Sequence, residues 1–142
     1  MESDYQKALN GSFTSLLQWD ALTQFWEQLC QQGTDQWYIY AVGERPPEVT
    51  ASDGQFTQFI EEIDQLLRRE HDERVCGIVY SNHPTAPTMV KIYDPNNLGV
   101  SCGYSENPPL PGWILSHQPP VELQPQQILP GNRKRWWQKL FS

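Results

Sequence analysis

The chain has 142 residues, 38% of them apolar and 12% aromatic, with a formal net charge of −7. That is one domain's length, enough for a core without disulfide or metal staples, and its acidity disfavours the phosphate backbone of nucleic acid as a main partner. The acidic start, Met1-Glu2-Ser3-Asp4, has no apolar run behind it and nothing approaches a bilayer span, so neither a secretory signal nor a transmembrane segment is expected.

Tyr5, Ala8 and Leu9 fall on one side of a short first helix, which Asn10-Gly11 should stop in the left-handed conformation. Ser12 then caps a second helix. Along it Phe13, Leu16, Leu17, Leu22, Phe25, Trp26 and Leu29 recur at three- and four-residue spacing through about Gln32. Trp37-Tyr38-Ile39-Tyr40-Ala41-Val42, closed by Gly43, shows no apolar–polar alternation and reads as a central strand buried on both faces. Pro46-Pro47 mark an exposed connection, and Ser52-Asp53-Gly54-Gln55 has the spacing of a capping box. Phe56, Phe59, Ile60, Ile63, Leu66 and Leu67 make one clean apolar face of the helix that follows, which runs to about His71. Its outer face places Asp64 four residues before Arg68, and Glu70 four before Arg74, as acid-before-base pairs.

Val75 to Tyr80 and Thr88 to Tyr93 are short runs rich in β-branched and aromatic residues. Asp94-Pro95-Asn96-Asn97-Leu98-Gly99 should turn the chain into a further short strand, Val100 to Gly103. Trp113-Ile114-Leu115-Ser116 completes the set as an edge strand. One helix between two strands suggests a parallel crossover, while the later strands are close enough for hairpins. The expected fold class is α+β: a single domain with a mixed or mostly antiparallel sheet of four or five strands and two main helices packed on one face. Seven of the twelve prolines lie between Pro108 and Pro130. The chain therefore divides into an acidic domain over residues 1–116, a Pro/Gln-rich linker over 117–130 and a basic aromatic tail over 131–142.

Little in this sequence carries catalytic chemistry. The 94–99 segment begins like a calcium loop, but Leu98 has no side-chain oxygen at the fifth position and Ser105 stands at the twelfth in place of a bidentate Glu, so a turn is the better reading. An irregular cation site built from Glu70, Asp72, Glu73, Asp94 and Glu106 would leave no spacing signature. Calcium is thus the one cofactor carried as an alternative. Three cysteines far apart form no disulfide framework and point to a reducing compartment. Cys102 has no histidine at a telling distance, which ranks a thiol enzyme third.

The tail holds Arg133, Lys134, Arg135 and Lys139 and no acid, so subtracting its +4 from −7 leaves −11 on residues 1–130. On a helix Trp136 stacks over Leu140, and Trp137 over Phe141, opposite the basic groups. Tryptophan flanked by lysine and arginine suits an anionic membrane surface or an acidic-rimmed groove in a protein partner. The rival reading folds the tail back on its own acidic domain. These features point to a small non-enzymatic binding or adaptor protein, cytoplasmic or peripheral at the membrane, with the domain as interaction surface and the tail as tether. The alternative from another class is a calcium-binding regulatory protein.

Overall fold

The computed structural model describes residues 3–32, 36–97, 110–123, 136, 137 and 140. In chain order these form α1 (Asp4–Leu9), β1 (Thr14–Ser15), α2 (Trp19–Gln31), β2 (Tyr38–Ala41), α3 (Asp53–Glu70), β3 (Val79–Ser81), β4 (Met89–Ile92), a 3-10 turn (Pro95–Asn97) and β5 (Trp113–Ser116). The expected strand at Val100 to Gly103 lies outside the described residues.

The five strands form one antiparallel sheet in the order β1-β3-β4-β5-β2. The fold is a single α+β domain. Its register lines residues up in rows across the sheet. Val79, Ile92, Trp113 and Ala41 make one row, and Ser81, Val90, Leu115 and Ile39 another. Both rows face α2 and α3. Leu22, Phe25, Trp26 and Leu29 of α2, with Phe56, Phe59, Ile60, Ile63, Leu66 and Leu67 of α3, close the main core over them. Between these lie the rows facing the other way, one of which runs Ser15, Tyr80, Lys91, Ile114, Tyr40. Tyr5 and Leu9 of α1, together with Leu123, cover the Ile114–Tyr40 end of that second face.

Local chemistry sets several boundaries. Ser52 accepts a hydrogen bond from the Gln55 N–H at 3.2 Å, while the Gln55 side chain accepts from the Ser52 N–H at 3.0 Å, so the expected capping box starts α3. Ser3 and Gln6 make a second capping box at the start of α1. Gly43 ends β2 with φ at 103°, a left-handed turn that only glycine enters without strain. Gly112 is needed for a different reason. A Cβ there would stand 3.1 Å from the Cβ of Asp94.

Tertiary pairing overrides local pattern at five places. The second helix begins at Trp19, not after Ser12. Residues 14–17 are instead drawn beside the start of β3, where Leu16 N–H donates to Val79 C=O and Cys76 N–H to Leu17 C=O. Leu17 is consequently 56% exposed. β2, expected in the centre, is an edge strand, and β5, expected at the edge, is bonded on both sides. No parallel crossover forms among the described strands, because three successive antiparallel pairings leave β2 and β3 running in opposite directions. The run from Val75 is strand only from Val79, and Val75 itself is 44% exposed. Asn10 closes α1 at φ −89° and not in the left-handed region. Gly11 serves instead by its small size, since a Cβ there would come within 3.2 Å of the Ala8 carbonyl oxygen.

From Ser116 as far as Leu123 the chain is held on the domain. Pro120 and Leu123 are buried, and the Leu123 N–H donates to the Tyr40 hydroxyl at 3.1 Å.

Candidate functional site

The arrangement with the most functional content is an aromatic seat on the helical side of the sheet. Phe59 projects from the middle of the apolar face of α3, and Trp113 is the first residue of β5; both are almost wholly buried. The tail residues Trp136 and Trp137 rest on them. The Trp136 ring lies 5.6 Å from that of Trp113 in an edge-on arrangement and 6.2 Å from Phe59. Trp137 meets Phe59 edge-on at 6.3 Å. Such ring pairs contribute about 0.5–1.5 kcal/mol each beyond the area they bury. Leu140 packs against the same core, and all three tail residues are only half-buried. Trp136, Trp137 and Leu140 have helical backbone, in keeping with the amphipathic spacing of the sequence. Arg133, Lys134, Arg135, Lys139 and Phe141 lie outside the described residues.

Elsewhere on α3, a polar clasp joins it to α2. Arg68 holds Asp64 through Nε at 2.9 Å and 3.1 Å, donates to the Thr23 hydroxyl at 2.7 Å and lies 5.1 Å over the Trp19 ring. Asp64 also accepts from the Trp26 indole N–H at 3.2 Å. The four-residue spacing of Asp64 and Arg68 thus serves both its own helix and the neighbouring one. Arg74, by contrast, lies beyond the end of α3, so its spacing from Glu70 has no helical meaning.

Of the carboxylates named for a cation, Glu70, Asp72, Glu73 and Asp94 lie among the described residues. Glu70 and Asp94 are linked through Asn96, whose side chain donates to Glu70 at 3.3 Å and whose backbone N–H donates to Asp94 at 2.9 Å. That is the geometry of an Asx turn fastening the 3-10 turn to the end of α3. Asp72 and Glu73 are exposed, and the Glu73 backbone C=O receives the Trp19 indole N–H at 3.0 Å. Among the described residues no group of three or more His, Cys, Asp or Glu side chains could hold a metal ion. Glu106 and Cys102 lie outside them. Cys30 and Cys76 are free thiols, and burial pushes both above the ordinary range, which suppresses the thiolate a nucleophile needs.

A cleft of about 710 Å³ opens between residues 43–48 and 119–122, walled by Pro46, Pro47, Pro119 and Pro120. Sequence reasoning treated these segments as connections and did not bring them together. The sequence places Phe59 in the apolar face of a helix and Trp113 at the start of an edge strand, and neither position by itself marks a seat. No helix among the described residues is long and apolar enough to cross a membrane. In comparisons with known proteins the chain matches no family model, no curated protein and no solved structure.

Proposed function

We propose that this is a small non-enzymatic binding or adaptor protein whose C-terminal tail rests on its own domain and transfers to a target when one is present. The observation that carries the reading is the half-burial of Trp136, Trp137 and Leu140 on the seat of Phe59 and Trp113. Half-burial holds the tail while leaving it apolar surface to gain elsewhere. At about 25 cal/mol per Å² of apolar surface buried, a site that covers these three residues more fully than the seat does is favoured once it also offsets the uncovering of Phe59 and Trp113. The four basic residues of the tail direct that transfer to negative charge, each worth about 1 kcal/mol beside an anionic surface at low salt. The target chemistry is an anionic membrane interface or an acidic-rimmed apolar groove of a protein partner. The free thiols Cys30 and Cys76 support a reducing, cytoplasmic setting.

The test compares the full chain with a variant lacking residues 131–142. Deletion should lower the unfolding midpoint and shift amides around Phe59 and Trp113, because it uncovers the seat. Vesicles of phosphatidylcholine with phosphatidylserine should sediment the full chain and not the shortened one, with binding weakened by salt and by Trp136→Ala with Trp137→Ala. If neither the midpoint nor vesicle binding changes on deletion, the tail is idle and the reading fails. If the midpoint falls but vesicles capture nothing, the target is confined to a protein groove.

A further inference from the structure

The second face of the sheet is covered over only part of its width. Tyr5, Leu9 and Leu123 close the end of the Ser15–Tyr80–Lys91–Ile114–Tyr40 row that holds Ile114 and Tyr40. At the other end Phe13, which also packs on that second cluster, Tyr80, Lys91 and Tyr93, which also touches the main core, are only half-buried. The Tyr80 and Tyr93 rings stand edge-on 5.6 Å apart, and the Lys91 ammonium lies 4.0 Å over the Phe13 ring. The Ser15 hydroxyl, opposite Tyr80 in the register, is buried and makes no hydrogen bond.

A cation in this position is out of keeping with the rest of the chain. Acidic residues outnumber lysine and arginine by 17 to 10, yet no carboxylate among the described residues pairs with Lys91. The two ion pairs found there both belong to α3. Partial burial withdraws water from the ammonium and pulls its pKa below the ordinary value, with no neighbouring acid to offset the loss. Among the described residues its one charge-related contact is the Phe13 ring, and a ring is a weaker partner for an ammonium than a carboxylate.

We infer that Phe13, Tyr80, Lys91 and Tyr93 form a docking site for an acidic side chain carried on an aromatic or apolar segment of a partner protein. Lys91 receives the carboxylate and the three rings receive the flanking apolar groups. One ammonium balances one negative charge, so a carboxylate fits where a phosphate ester, close to doubly charged, would also meet the repulsion of the acidic domain. The site rests on the reading of the protein as a binding module. It does not rest on the tail, which seats on the opposite face of the sheet.

The test is an amide-shift titration of the 15N-labelled full chain with acetyl-Phe-Asp-Phe-amide, run beside the same peptide with Asn for Asp. The Asp peptide should shift Phe13, Tyr80, Lys91 and Tyr93, and the Asn peptide should bind about tenfold more weakly, the loss of one charge-assisted contact. Lys91→Met should lose that preference and Lys91→Arg should keep it; should the Met variant fail to fold, the peptide pair and the Arg variant still decide. Equal binding of the two peptides, or an unchanged preference in a well-dispersed Lys91→Met spectrum, would overturn the site. Inorganic phosphate moving the same amides at the same concentration would overturn the choice of a carboxylate. Shifts there that grow with protein concentration alone would give the face to a second copy and overturn it too. Since the readout lies away from Phe59 and Trp113, its failure is distinguishable from failure of the tail.

Discussion

Tyr40 shows how a single side chain can be both core and clasp, and Tyr5 how one can be core alone. Tyr40 is wholly buried and its hydroxyl receives the Leu123 N–H, tying the segment after β5 to the edge strand. The Tyr5 hydroxyl is buried near Ser116 but makes no hydrogen bond; the Ser116 hydroxyl donates to the Gln118 C=O at 2.8 Å. Burial holds both phenols above their ordinary value of 10.0. Unfolded, each would ionise near that value; folded, each keeps its proton to higher pH. The stability they contribute is therefore intact below pH 10 and lost as the pH climbs through the window above it. Unfolding midpoints measured against pH should fall above about pH 10, and Tyr5→Phe should make that fall shallower. Lys91 acts with the opposite sign: its penalty holds at neutral pH and is relieved as the pH rises toward 10.5.

At the scale of the element, α3 is where local signals and final structure agree most closely. Its capping box, its apolar face and its length of 18 residues all follow from spacing. Ser52→Ala should cost about 1 kcal/mol, the usual penalty for losing an N-cap hydroxyl, and should be read as a lower denaturant midpoint at unchanged slope. An unchanged midpoint would mean that water replaces the cap at no cost. α2 is the contrasting case. Its periodic pattern continues back to Phe13, but the backbone donors of residues 16, 76 and 77 are satisfied across the gap to the start of β3, and that pairing ends the helix at Trp19.

For the whole molecule, the described core is two clusters on opposite faces of one sheet, so removing packing from either should loosen the whole. Ile63 and Leu66 are 0% and 1% exposed, between α3 and the sheet. Ile63→Ala or Leu66→Ala should each cost about 2–5 kcal/mol, the range for emptying a buried aliphatic site. Thermal unfolding should remain a single transition with a lower midpoint. A midpoint left in place by either change would remove the proposed core face.

What the chain's own pattern determined was the α+β class, the cores of the three helices and most of the strand segments. These follow from short-range physics: capping at Ser52, periodicity from Phe56 to Leu67, and β-branched runs such as Met89–Ile92. The order of the sheet was not legible. Trp37 to Val42 and Trp113 to Ser116 are equally apolar, because layers on both faces bury an edge strand as thoroughly as a central one; which strand is the edge depends on where hydrogen-bond partners come from, and composition does not record that. The same holds for the candidate sites. Phe59 and Trp113 are 54 positions apart, and Phe13, Tyr80 and Lys91 come from three separate segments. Their meeting was decided only by the tertiary structure, since register alone sets which side chains share a row and a face.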